Sequence, residues 1–165
     1  EGDAAQSLIN QGADVLLQNT DSSAVLQTAA KNKKFAFGWD SDMSAVAPEA
    51  HLASNMVYWG PYYKQAVKAV MDGSWKGGQR TIWGKPEGAN DVIKINATAV
   101  PEPIRKKAEE AAAGLKAGTL DPFTGPVIDS TGKERLAKGT AVTQEWKDKV
   151  DFYVKGVEGK IPAGK

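Results

Sequence analysis

Apolar positions along this chain alternate between two patterns, helical spacing and short unbroken runs. From Asp3 to Gln11 the residues Ala4, Leu8 and Ile9 share one side of a predicted helix, which Gly12 stops. Ala13 to Gln18 then reads as a strand. Helical spacing returns over Ser22–Lys31 through Ala24, Val25, Leu26, Ala29 and Ala30. Asp21 is placed to cap this helix and Lys31 suits its negative end. Phe35-Ala36-Phe37, closed by Gly38, is the pattern expected of a strand buried on both faces. Together these segments make one β-α-β unit.

The alternation continues. Leu52–Val57 reads as a strand, and Pro61 suits the first turn of a helix running to Met71, stopped by Asp72-Gly73. That helix predicts a second crossover, into a strand at Gln79–Trp83, with another strand at Asp91–Ile95 beyond the turn-rich Gly84–Gly88. Pro103–Lys116 is an amphipathic helix ending at Gly118, with Ile104, Ala108, Ala111, Ala112 and Leu115 as its apolar positions. In the last third, Phe123–Ile128 predicts a strand that Pro126 assigns to a sheet edge, followed by a polar hairpin turn at Asp129–Lys133. Thr143 caps a final helix expected to reach about Lys155, packing Trp146, Val150, Tyr153 and Val154. The fold class this predicts is α/β, an open and mostly parallel sheet with flanking helices. Such folds ordinarily open with a strand, so a helix in first place leads to the expectation that an N-terminal part lies outside this chain.

Composition narrows the function. With 165 residues and 41% hydrophobic content, one core and one compact domain or lobe are expected. The 21 basic residues nearly balance 20 acidic ones, and basic clusters are small, at Lys31–Lys34 and Arg105–Lys107. Nucleic-acid binding therefore has no electrostatic footprint. The chain has no cysteine, which excludes disulfides and thiolate chemistry. No apolar run approaches the ~20 residues needed to span a bilayer.

The richest chemistry sits where the predicted strands end, the place where open α/β sheets bind small molecules. Gly38-Trp39-Asp40-Ser41-Asp42 puts an indole and two carboxylates at such an end. Trp39, Trp59 and Trp83 all fall at or near strand ends and suit stacking on a flat ring, whereas Trp75 and Trp146 are assigned to packing. Asn55 and Thr20 are candidate polar partners, since an amide both donates and accepts. His51, the one histidine, reads as a surface or capping residue and rules out a histidine-rich metal site. Asp40-Ser41-Asp42 resembles the start of a calcium loop, but Ala45 stands where that loop needs glycine and His51 where it needs glutamate. Trp75-Lys76-Gly77-Gly78 lacks the spacing of a phosphate-binding loop. No cofactor or metal is expected.

Taken in order, several segments resemble the basic membrane protein family. They are Ala13–Gln18, Gly38–Asp42, Leu52-Ala53-Ser54, Phe123-Thr124-Gly125-Pro126 and the run Asp151–Pro162 with its Tyr-Val-x-Gly-Val-x-Gly-Lys-Ile-Pro pattern. The resemblance implies one lobe plus return elements of a two-lobed type I periplasmic binding protein. Residues 1–165 would form the C-terminal part of a substrate-binding domain whose N-terminal lobe is absent. It further implies the solute-binding component of a bacterial ABC importer that holds a purine nucleoside, purine nucleobase or similar small heterocycle between its lobes. Permease subunits would be its partners, its location would be periplasmic or extracytoplasmic, and any membrane contact would run through a lipid anchor outside this chain. By the same resemblance Asp40 projects into the cleft and accepts hydrogen bonds from the ligand. Asp42 reads as a brace for the loop.

Two departures bear on the ligand. Where the family commonly has a glycine-rich loop after the first strand, this chain has Asn19-Thr20-Asp21-Ser22-Ser23, and Val57 occupies a position where nucleoside-binding members often carry lysine. The first changes the ligand contacts expected at that loop, and the second leaves room for a free nucleobase or another small heterocycle. The alternatives are a ligand-sensing domain of a regulatory or signalling protein and a hydrolase using Asp40 and Asp42 as paired carboxylates. Two carboxylates so close in one loop are poorly placed to flank a scissile bond.

Overall fold

Helix-period and strand-period segments take the expected order over most of the chain. The computed structural model describes residues 1–159 and 161, and it divides into two compact units, residues 1–118 and residues from 119 onward. The final residues of the predicted C-terminal motif, Lys160 and Pro162, lie outside the described residues.

The first unit begins with α1 (Gly2–Asn10), β1 (Val15–Leu16), α2 (Ala24–Lys31), β2 (Phe35–Asp40) and β3 (His51–Val57). These three strands are parallel neighbours, with Leu16 beside Ala36 and Trp39 beside Asn55. Small side chains let the helices come close. Ala5, Leu16, Val25, Leu26, Ala29 and Ala36 are buried where α1 and α2 cover one face of the sheet. That face accounts for a correction: β2 is buried on one side, through Ala36 and Gly38, while Phe35 is exposed and Phe37 half-buried. Asp21 does not cap α2; the Ser22 hydroxyl accepts from the Ala24 amide at 3.2 Å instead.

Parallel strands generally need a crossover of a dozen or more residues, usually a helix. Between β2 and β3 the connection is residues 41–50, without a helix, and it buries Met43, Ala47 and Ala50 in the common core. A register irregularity between Ala36 and Gly38 accommodates the short link. There Gly38 faces Ser54 so closely that an added Cβ would overlap Ser54 Oγ and lie 2.9 Å from Met43 Cβ.

Beyond β3 the chain forms α3 (Gly60–Met71), β4 (Asn90–Ile93) and α4 (Glu102–Ala117), the last closed by Gly118 in the left-handed conformation. β4 runs antiparallel to β3, pairing Val57 with Asn90 and Ser54 with Ile93. The predicted second crossover is therefore absent. So is the strand at Gln79–Trp83: its short apolar stretch lies between two turns, and Asn90–Ile93 takes the open edge of β3. Neither α3 nor α4 has a buried residue, and Val67, Val70, Met71 and Ile104 are exposed.

The second unit contains a hairpin of β5 (Val127–Ile128) and β6 (Glu134–Leu136), then α5 (Gln144–Asp148). Thr143 caps α5 as expected, its hydroxyl accepting from the Trp146 amide at 3.1 Å. The helix stops far short of Lys155 because the following backbone finds other partners. Ser130 donates its amide to Tyr153 at 2.7 Å, Lys155 donates to Ile128 at 2.8 Å, and Phe152 turns edge-on to Trp146. Asp129 organises the hairpin from a buried position, accepting from the Thr131 hydroxyl at 2.6 Å, the Thr131 and Lys133 amides and Arg135 Nε at 2.7 Å. The Thr131 hydroxyl and the Arg135 guanidinium hold its carboxyl well below the ordinary value near 3.8.

Two outcomes follow from this packing. Gly38→Ala is expected to destabilise the first unit by about 1–3 kcal/mol through overpacking, read as a lower urea midpoint at unchanged slope. A carboxylate with a depressed folded pKa contributes stability above its unfolded value and loses it as pH falls. Acidification below pH 3.8 should therefore loosen the hairpin, read as loss of the Trp146 indole NMR signal's native position, and Asp129→Asn should blunt that response.

Candidate functional site

Because β1, β2 and β3 run parallel, their C-terminal ends open on one edge of the sheet. At the end of β1, buried Gln18 donates to the Phe37 carbonyl at 2.9 Å, and its Oε1 accepts from the Thr20 hydroxyl at 2.8 Å. Thr20 is thus held in place with its hydroxyl hydrogen already committed. At the end of β2, the Ser41 amide bonds the Trp39 carbonyl at 2.8 Å, closing a three-residue turn on Asp40, whose φ is +64°. A turn of this kind around a non-glycine residue is rare and strained. It delivers Asp40 to the surface, exposed, its carboxylate without a hydrogen bond from any described residue.

Asp42 behaves as the brace expected from the sequence. Its Oδ1 accepts from the Ser44 amide at 3.0 Å, and hydrogen bonding by Ser44 lowers its pKa. Trp39 and Asn55 are half-buried cross-strand neighbours beside Asp40, which itself pairs with Met56.

A second group gathers where β3 leads into α3. Val57, Tyr58, Trp59, Tyr62, Thr81, Trp83, Ala89 and Asn90 line a pocket of about 440 Å³. Trp59 stacks on Tyr63 at 6.0 Å between ring centroids, and Tyr62 meets Trp83 edge-on at 5.9 Å. Of the six residues singled out from the sequence, Trp59 and Trp83 share this pocket, whereas Asp40, Trp39, Asn55 and Thr20 are not among its lining residues. The pocket closes because Tyr58 donates its amide to Ala89 at 2.7 Å, drawing the 84–90 segment over the start of α3. Tyr58, Tyr62 and Asn90 went unnoticed in the sequence; the signal was Pro61, which starts α3 and fixes where its first-turn tyrosines fall.

His51 requires a correction. Far from the surface or a cap, it is 2% exposed at the start of β3, with Nε2 2.8 Å from Ser54 Oγ. Among the described residues no three carboxylates or histidines come together as a metal site.

The exposed Asp40 carboxylate, on a strained turn at the end of parallel strands, stands at the edge of the sheet where open α/β folds bind small molecules. The chain belongs to the Bmp family of PnrA-like ABC transporter substrate-binding proteins, whose model matches residues 1–116. It is 42% identical over 162 residues to a purine-binding protein of Brucella abortus, covering 98% of this chain and 45% of that protein. A protein of Haloferax volcanii, provisionally named as an ABC transporter glucose-binding protein, is 23% identical over 161 residues, covering 98% of this chain and 38% of its own length. The chain therefore spans less than half the length of these curated relatives. Among solved structures, a transcriptional activator of the comK gene from Bacillus halodurans aligns at a TM-score of 0.63 and 18% identity, covering 73% of this chain and 42% of that one. A solute-binding protein of an ABC transporter system from Conexibacter woesei aligns at 0.52 and 18% identity, over 73% of this chain and 40% of the other. Both bear on fold alone.

The turn at Asp40 can be tested directly. Glycine adopts its positive φ without strain, so Asp40→Gly should leave stability unchanged or raise it by up to about 1 kcal/mol, measured as the urea midpoint. Asp40→Val should lower it.

Proposed function

We propose that this chain is part of the solute-binding component of an ABC importer and that it binds a purine nucleobase, a purine nucleoside or a similar small heterocycle. The observation that carries the reading is Asp40, a carboxylate held outward by a strained turn in a chain of this family. An ionised carboxylate only accepts hydrogen bonds, so it suits a purine N–H or ribose hydroxyls and selects against ligands lacking them. The similarity to a protein named as purine-binding supports the ligand class. Trp39 beside Asp40 supplies a flat face, and Asn55 an amide able to donate and accept along a purine edge. Thr20, anchored through Gln18, offers its hydroxyl oxygen as an acceptor. The pocket around Trp59 and Trp83 provides further aromatic surface. Val57 presents no cation, which favours a free base over a ligand needing one.

The rest of the longer polypeptide supplies the facing lobe, and closure of the two lobes forms the state that an ABC permease recognises. This work is done outside the cytoplasm and without catalysis; no helix among the described residues is long and apolar enough to cross a membrane.

Calorimetry of the full-length protein against adenine, adenosine, guanosine and glucose tests the reading. Binding of a purine is expected, and Asp40→Asn, which tolerates the same backbone, should weaken it about tenfold or more by removing a charged acceptor. Unchanged affinity in that variant would sink the role of Asp40, and binding of glucose with indifference to all purines would sink the ligand class.

A further inference from the structure

We propose that His51 and Ser54 are positioning residues for the Asp40 turn, forming a hydrogen-bond relay whose protonation state sets the affinity of the ligand site. The inference rests on Asp40 contacting ligand, as proposed above.

The relay meets the backbone that flanks the turn. Ser54 is fully buried in β3, and its Oγ accepts from the Met43 amide at 3.1 Å while lying 2.8 Å from His51 Nε2. Met43 is three residues after Asp40, and Gly38, pressed against the same hydroxyl, is two residues before it. One serine side chain therefore touches the backbone on both sides of the strained turn. In the tautomer of neutral His51 whose Nε2 accepts, Ser54 donates to the ring and accepts from the Met43 amide, so the hydroxyl's hydrogen is paired.

Protonation breaks that arrangement. Both ring nitrogens then donate, so Ser54 must accept from His51 and Met43 together and turn its own hydrogen into a site without solvent. A buried donor left unpaired is costly, so the Ser54 hydroxyl reorients, and its bond to the Met43 amide changes with it. Among the described residues, Asp42 acts electrostatically on the ring, Glu49 and Lys94 line one pocket together with His51, and Asn96 donates to the His51 carbonyl at 2.8 Å. Burial pushes the imidazole below its ordinary value of 6.5, and the attraction of Asp42 opposes this more weakly. A histidine with a depressed folded pKa is neutral in the folded state above that value, so the relay is intact at neutral pH and is lost as pH falls below 6.5 through the folded value.

The chain's single histidine makes the test clean. In NMR of the 165-residue chain without ligand, the His51 ring, the Met43 amide and the Trp39 indole should titrate with one shared midpoint. Ser54→Ala should uncouple the latter two from the ring, and His51→Gln should abolish their titration. Adenosine affinity of the full-length protein should fall toward acid, by up to about tenfold per pH unit, the limit for one proton released on binding. In both variants that acid dependence should vanish. Independent titration of Trp39 and His51, or a shared midpoint that survives in Ser54→Ala, overturns the relay. A coupled titration in a protein that binds no purine at any pH upholds the relay and counts against the purine reading instead.

Discussion

Two parallel strands joined by ten residues without a helix impose the constraint on which the first unit depends. The connection between β2 and β3 must bury its own apolar residues and still return the chain to the starting end of the sheet. It does so by filling the core with Met43, Ala47 and Ala50 and by bringing β2 hard against β3, where only a glycine at position 38 leaves room for the Ser54 side chain. The alanine-rich interface with α1 and α2 belongs to the same solution, because small side chains let the helices settle close to strands that are themselves drawn together. Enlarging any of these contacts shifts the loop that carries Asp40.

Strain at Asp40 is intelligible against this background. A positive φ at a non-glycine residue persists only where its surroundings over-determine it. Here the Trp39–Ser41 backbone bond, the Asp42–Ser44 brace and the Ser54–Met43 bond hold the chain on both sides. What these bonds fix is the backbone position from which the Asp40 side chain leaves the sheet. In the proposed site, a loop held in this way lowers the part of the ordering cost of binding that falls on its backbone.

Much of this was legible in the sequence. Segments dominated by local rules, such as the helix closed by Gly118 and the cap at Thr143, appear where helix-stop and capping chemistry put them. The strand leading to Asp40 was legible from the run Phe35-Ala36-Phe37, but it does not close at Gly38: it runs on through Trp39 to Asp40, because Gly38, Trp39 and Asp40 pair with β3. What failed were features decided by tertiary partners. The segment Gln79–Trp83 has strand-like composition, yet a strand needs an open edge and β4 occupies the one on β3. Trp146, Val150, Tyr153 and Val154 keep helical spacing, yet their backbone is claimed by the hairpin around Asp129. His51 looked like a surface residue because its partner, three positions on in the same strand, reaches it only through the bulge that places both on one side. Tyr62 and Asn90 were invisible as a pair, being far apart in the chain and joined only by the fold of the 84–90 segment.

The proposed ligand site divides unequally between rigid and adaptable parts, and that division suits a solute-binding protein. Asp40, Trp39 and Asn55 stand on the best-packed strands of the molecule, backed by fully buried Ser54. Trp59 and Tyr62 stand at the start of α3, which buries none of its residues in this chain. Hydrogen-bond selection depends on direction and is lost by small displacements, so it belongs on the rigid side. Aromatic stacking tolerates sliding and rotation, and a ring face accepts many flat partners. On the proposed reading, the hydrogen-bonding groups on β2 and β3 keep their backbone positions as the cleft shuts, and adjustment falls to the aromatic side chains at the start of α3.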